Sequence, residues 1–335
     1  MKTITLALQG GGTHGAFTWG VLDRLLEDGR LNVEAISATS AGAMNAAMVV
    51  DGHARAGSQG AREQLARLWK EIAASGAYAM VRPTWLDRMV SGWGMGFSPA
   101  YHMVETALRL WSPYELNPCN LNPLESLIGR LVDFDRLRGG DIGLFVSATN
   151  VLTGKLRIFD KAEIDARVLV ASAAVPHLFQ AVTIDGQSYW DGGYMANPAI
   201  YPLLRHGASN DVVVVQVNPI GATEVPTTAL GILDRINEIS FNSSIMREMH
   251  AIAWLTRLID QGLVDPAAGI KRTHIHLIHA EAEMCRLDSS SKFNTEPAFL
   301  DHLFHMGRRS AEDWLASTFD RIGVESTIDI EETYL

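Results

Sequence analysis

Cysteine is scarce in this chain of 335 residues: there are two, Cys119 and Cys285, and no CxxC pair. Two thiols make no disulfide framework, so a reducing compartment is expected. Positive charge is also short. Lys and Arg number 28 against 38 Asp and Glu, which leaves 28 − 38 = −10 at pH 7. That sign argues against a nucleic-acid partner, which needs a basic face. No apolar run approaches the roughly 18 residues that span a bilayer. Lys2 is followed by Thr3 to Leu8 and then glycines rather than a cleavage site, so no secretory leader is expected. No internal repeat or low-complexity tract is evident. What remains is ordinary globular composition, long enough for one large α/β domain or two smaller ones. The expectation is a cytoplasmic protein, with peripheral contact to a lipid surface left open.

The pattern begins as strand, glycine turn, helix, strand, turn, helix. Residues 3–8 read as a buried strand, 15–28 as a helix stopped at Gly29, Val33 to Thr39 as a second strand, and Ala41 to Val50 as a small-residue helix. That alternation predicts a parallel sheet covered by helices. Residues 61–75 look amphipathic and helical. The segment 77–123 differs: Trp85, Trp93, Trp111, Met80, Met89, Met95, Met103 and Phe97 occur without clean periodicity, which suggests an irregular, partly helical insertion or lid. The α/β pattern resumes with strands at Ile142–Thr149 and Leu156–Phe159 and a short helix at Ile164–Ala173. A hairpin of Val182–Ile184 and Ser188–Trp190 then turns at Asp185-Gly186. Val212–Val217 reads as a central strand. Helical stretches at 228–262 and 297–319 follow, with a strand-like His274–His279 between them.

Three places carry chemistry. The first is Gln9-Gly10-Gly11-Gly12-Thr13-His14-Gly15, between strand and helix. Glycines there leave backbone N–H groups free at a helix N-terminus, where an anion can bind. An oxyanion hole and a dinucleotide phosphate site both use that geometry. Gly10-x-Gly12-x-x-Gly15 has the dinucleotide spacing and Glu34 lies about 20 residues on. However, Glu34 begins the second strand, whereas a ribose-binding acid stands at its end. The second place is that end, Ser37-Ala38-Thr39-Ser40-Ala41-Gly42-Ala43, a serine between strand and helix with small flanking residues. This describes a nucleophile elbow with Ala38 at the first glycine position, although on local sequence alone a helix N-cap serine is an equal reading. The third is Ser188-Tyr189-Trp190-Asp191-Gly192-Gly193, where an aspartate after a strand has backbone room around it; alone it would pass for a turn aspartate.

In this order and spacing the elements resemble the patatin-like phospholipase family. Gly10 to Gly15 resembles its oxyanion loop, Ala38–Gly42 its elbow, and Asp191-Gly192-Gly193 its catalytic Asp-Gly-Gly. The run Ala171-Ser172-Ala173-Ala174-Val175-Pro176, then Phe179, and the later Asn197-Pro198 match that family too, so the resemblance covers residues 3 to about 218. It implies a three-layer α/β/α fold with a mainly parallel sheet, residues 1–218 as catalytic domain and 219–335 as a mainly helical extension packed on it. It also implies ester hydrolysis of phospholipids or other acyl lipids through a Ser40–Asp191 dyad. Backbone N–H groups of Gly10, Gly11, Gly12 and Ala41 would form the oxyanion hole, with His14 and Gly15 supporting the loop and no metal or organic cofactor. Short-chain esterase or thioesterase activity, or a non-catalytic lipid-binding scaffold, are the alternatives.

Two residues depart from the family pattern. Ala38 replaces a glycine, and His14 stands where the family usually has Arg or Lys, a cation that helps order the oxyanion loop. Histidine there implies either pH-sensitive ordering or no role for charge, and a third catalytic member is the bolder reading. Of the remaining histidines, His274, His276 and His279 suggest a metal cluster at a glance. His279 falls on the other strand face, and no Cys or acidic partner is visible nearby in sequence.

Overall fold

The computed structural model describes residues 1–75, 84, 87–89, 92–96, 98–222, 224–265, 267 and 269–335. Met80, Trp85 and Phe97 of the expected insertion lie outside the described residues.

Strand β1 (Lys2–Leu8) leads through the glycine turn into α1 (Gly15–Asp28), which Gly29 ends in the left-handed conformation at φ 71°. Strand β2 (Leu31–Ala38) leads through the serine turn into α2 (Ala41–Ser75). That span is two helices meeting at Ala56-Gly57, where Gly57 takes φ 61°, so the separately expected 41–50 and 61–75 segments join with one break. Helix α3 (Pro99–Leu110) crosses the insertion, capped by Ser98. Then come β3 (Gly143–Asn150), β4 (Leu156–Asp160), α4 (Ala166–Ser172), β5 (Val182–Ile184), β6 (Gln187–Asp191) and β7 (Asp211–Val215). The chain closes with α5 (Ala229–Asp260), β8 (His274–Ile278) and α6 (Pro297–Thr318), besides shorter turns of helix.

The strands form one sheet in the order β5-β6-β3-β2-β1-β7-β8, with β4 paired to β3. Strands β3, β2, β1, β7 and β8 run parallel, β4 and β6 pair antiparallel with β3, and β5 pairs antiparallel with β6. Side chains alternate between two cores, as a strand's period of two requires. Leu6, Leu8, Val213 and Val215 join α1, α2 and α6 on one face. Ala7, Val212, Val214, Ile275 and Leu277 join Ile245 and Met249 of α5 on the other. The architecture is thus the three-layer α/β/α arrangement with a mainly parallel sheet.

Residues after 219 enter the main body directly: β8 extends the sheet beside β7, and α6 lies along α1. Arg62 and Arg308 both pair with Asp23 of α1, the first at 2.8 Å, tying three helices together. The register also supplies the acidic partner that the histidines seemed to lack. Asp211 stands opposite His274, and its Oδ1 lies 3.3 Å from His274 Nδ1 and 2.9 Å from His276 Nε2. It also accepts the Gly323 N–H at 2.8 Å, so the cluster binds the C-terminal turn to the sheet. Sequence hid this because the carboxylate comes from the neighbouring strand. His279 lies apart, 3.7 Å from Glu281.

The described residues of the insertion fall into two groups. Met95 is fully buried, and Trp93 packs on Phe299 and His302, whereas Met89, Met103, Leu110 and Trp111 are exposed. Among the described residues, no helix is long and apolar enough to cross a membrane.

Candidate active site

Leu8 of β1 pairs with Ala38 of β2, so the glycine loop and the serine turn leave the sheet side by side at the strands' C-terminal edge. Open α/β sheets place their ligand crevices at that edge. Strand β4 occupies one side of β3 from Phe145 to Thr149. Strand β2 takes the other side as far as Val146, and β6 then takes that side from Ala148, which pairs with Asp191. Asp191 therefore arrives just beyond the end of β2, where Ser40 begins the next element.

Ser40 has φ 54°, in the left-handed region that a non-glycine residue enters at a cost of about 1–3 kcal/mol. Its N–H donates to Ser172 Oγ at 2.9 Å, and Thr39 Oγ1 donates to the Ala196 carbonyl at 2.8 Å. These bonds from a distant segment hold the strained turn. Ala38 is the last residue of β2 and fully buried, so a methyl group is accommodated at the position where the family has glycine. Gly42 lies on the Leu8 and Gln9 carbonyls, and Gly15 on the Ala41 methyl group.

Gly10 faces Ser40 directly. A Cβ there would stand 2.6 Å from Ser40 Cβ and 2.9 Å from the Thr39 carbonyl oxygen. Gly10→Ala is therefore expected to push the serine turn off its geometry. A loss of about 1–3 kcal/mol of stability should appear in thermal melting, with slowed labelling of the serine by a fluorophosphonate.

Asp191 is 1% exposed. Its Oδ1 accepts the Gly193 N–H at 2.7 Å, while Oδ2 has no well-formed hydrogen bond. Burial pushes its pKa up to about 6, against the opposing effects of the Gly193 N–H and the nearby Ser40 hydroxyl. The hydroxyl is thus within electrostatic reach of the carboxylate without a well-aligned bond to it. Tyr194 is raised to about 12, first by burial and then by Asp191.

The glycine loop needs one correction. Gly10 N–H is taken by Asn197 Oδ1 at 2.6 Å, so it is not free for an oxyanion. The N–H groups of Gly11, Gly12 and Ala41 make no hydrogen bond among the described residues. They remain the available donors.

His14 is buried and points away from the pair: its Nε2 lies 2.7 Å from Ser291 Oγ. Because that hydroxyl donates to the Asp288 carbonyl at 2.6 Å, the imidazole must donate through Nε2, which leaves Nδ1 without a partner. Burial, then the Lys292 charge, lowers the His14 pKa to about 3. The ring is neutral throughout the physiological range, which favours, of the two expectations for this position, no role for its charge over pH-sensitive loop ordering.

The dinucleotide alternative loses its acid. Glu34 accepts the Ala208 and Ser209 N–H groups at 2.9 and 3.0 Å, at the far end of β2. Among the described residues no group of three or more His, Cys, Asp or Glu is placed to hold a metal ion. Asn218 and Lys292 escaped sequence reasoning, since each reaches the loop from far along the chain without a motif of its own.

Residues 6–204, more than half of the chain, match the family described as patatin-like phospholipase. Among solved structures the chain is similar to VipD from Legionella pneumophila, at 15% identity and TM-score 0.43, covering 94% of this chain and 67% of that one. It is also similar to the type III effector protein ExoU, at 15% identity and TM-score 0.38, covering 94% of this chain and 53% of that one. A structure of the ExoU-SpcU complex from the type III secretion system of Pseudomonas aeruginosa matches at 14% identity and TM-score 0.37, covering 97% and 52%. The chain thus spans about half the length of the ExoU chains. No curated protein matches it. With the glycine loop, the elbow and the Asp-Gly-Gly turn all inside the matched span, the chain belongs to the patatin-like phospholipase family.

Proposed function

We propose that the protein hydrolyses carboxylic esters of phospholipids or related acyl lipids, with Ser40 as nucleophile and Asp191 as general base. One observation carries the reading. A serine held in a strained strand-to-helix turn lies within reach of a buried carboxylate that has one oxygen unbonded and a pKa near 6. A base poised near neutrality is what proton abstraction from a hydroxyl requires.

Ser40 Oγ attacks the ester carbonyl carbon while its proton passes to Asp191 Oδ2. The carbonyl oxygen becomes an oxyanion, which the N–H groups of Gly11, Gly12 and Ala41 stabilise at the N-terminal end of α2. Collapse breaks the ester C–O bond, and Asp191 returns its proton to the departing alcohol. Water then attacks the acyl-enzyme, giving its proton to Asp191. The fatty acid leaves as that proton returns to Ser40. No step needs a metal or organic cofactor. Two unpaired thiols, Cys119 and Cys285, fit action in a reducing compartment such as the cytoplasm.

The test is turnover of p-nitrophenyl esters from short to long acyl chains beside phospholipid vesicles. Release of fatty acid from vesicles, with rising efficiency toward long chains, supports a lipid acyl hydrolase. Turnover confined to short chains supports an esterase of the same fold, and no turnover by folded protein leaves the scaffold.

A further inference from the structure

Position 14 holds a neutral histidine where the family usually has a cation, yet a cation does reach the loop from elsewhere. The short helical turn Ser289–Phe293 packs against the glycine loop. Thr13 Oγ1 donates to the Ser291 carbonyl at 2.9 Å, His14 holds the Ser291 hydroxyl, and a Cβ on Gly12 would meet the Lys292 carbonyl oxygen at 2.5 Å. Lys292 Nζ then donates to Asn218 Oδ1 at 3.0 Å. Asn218 Nδ2 in turn donates to the Gly10 carbonyl at 2.6 Å.

The Gly10 carbonyl and the Gly11 N–H belong to one peptide unit. A hydrogen bond accepted by the carbonyl draws electron density toward oxygen and makes the N–H a stronger donor, because linked hydrogen bonds polarise one another. The ammonium also fixes which way the Asn218 amide faces. It can only donate, so Oδ1 must turn to it and Nδ2 to Gly10. Gln9 Oε1 braces the same amide, accepting from Asn218 Nδ2 at 3.2 Å as well as from the backbone N–H groups of Val217 and Asn218 at 3.0 Å each. No carboxylate forms an ion pair with Lys292 among the described residues; burial pushes its pKa down, and Glu238 and Asp234, at longer range, favour the charged form against that.

We infer that Lys292 and Asn218 are positioning residues of the oxyanion hole, the lysine supplying through Asn218 and the Gly10–Gly11 peptide the positive charge that position 14 lacks. This rests on the proposed acyl-transfer reaction. Neither side chain touches the substrate; each acts through the Gly11 N–H. Their contribution therefore belongs to the tetrahedral state and not to ground-state binding.

The test uses the full chain and p-nitrophenyl esters. Lys292→Met is expected to lower kcat about tenfold, of the order that loss of part of one oxyanion donor gives, with KM within about twofold. Affinity for a trifluoromethyl ketone, which forms a tetrahedral adduct on the serine, should fall by a similar factor. Lys292→Arg should restore most of kcat. Asn218→Asp keeps a partner for Lys292, and hence the packing, but removes the donor to Gly10; it too should lower kcat at unchanged KM. The relay is overturned if both Lys292→Met and Asn218→Asp turn over like wild type, or if their losses appear in KM. It is also overturned if arginine fails to rescue. Absence of Ser40-dependent turnover in wild type overturns the hydrolase reading itself, and the relay with it.

Discussion

Ser40→Ala should cut ester turnover by about 10³ or more, with the thermal midpoint almost unmoved. Removing one member of a concerted nucleophile–base unit forfeits nearly the whole of its effect, since what remains is the oxyanion hole and substrate binding. Stability hardly changes because the strained φ of 54° persists with alanine, and the bonds that hold the turn come from the backbone of Ser40 and from Thr39. The serine hydroxyl acts on the Asp191 carboxylate within the site and takes no part in the bonds that hold the turn. Kinetics at saturating ester, beside a melting curve, check both halves. A variant that keeps turnover would move the nucleophile elsewhere.

Asp191→Asn should be inactive and yet more stable than wild type at neutral pH. The Asp191 pKa is about 6 in the folded chain against an ordinary value of 3.8. Below pH 3.8 the carboxyl is neutral in both states, and above about pH 6 it is charged in both. In the upper range the fold bears a buried charge. A raised carboxylate pKa therefore contributes stability at low pH that is lost as pH climbs through the window from about 4 to 6. Two units at about 1.4 kcal/mol each make that cost roughly 3 kcal/mol. Asparagine keeps the shape and the Gly193 bond without the charge. Its melting point should exceed wild type's by several degrees at pH 8, with the difference vanishing near pH 4. Wild-type kcat/KM should rise with pH through about 6 and level off, as deprotonation of the general base requires. A site that sacrifices stability for a reactive group behaves this way.

Much of this was legible in the sequence, for physical reasons that differ from place to place. The alternation of strand, turn and helix over residues 3–50 showed the parallel sheet because each apolar run is bounded by glycine or small residues. Gly10–Gly15, Ser40 and Asp191 were visible because tight backbone turns admit few residue types. That the Gly10 N–H is already occupied is not legible in the sequence, since its acceptor, Asn197, lies 187 positions away and periodicity carries no trace of it. Asp211, the partner of His274 and His276, stayed hidden for the same reason: a parallel sheet pairs strands remote in the chain. Lys292 had no motif at all. Its importance comes only from a short turn after β8 folding back against the glycine loop.

Covalent capture of the serine tests the central claim most directly. The chain is incubated with a long-chain fluorophosphonate, digested, and its peptides are weighed. One adduct is expected, on the peptide carrying Ser40, formed more slowly in Asp191→Asn and absent in Ser40→Ala. An adduct on another residue, or none on folded wild-type protein, would contradict the account.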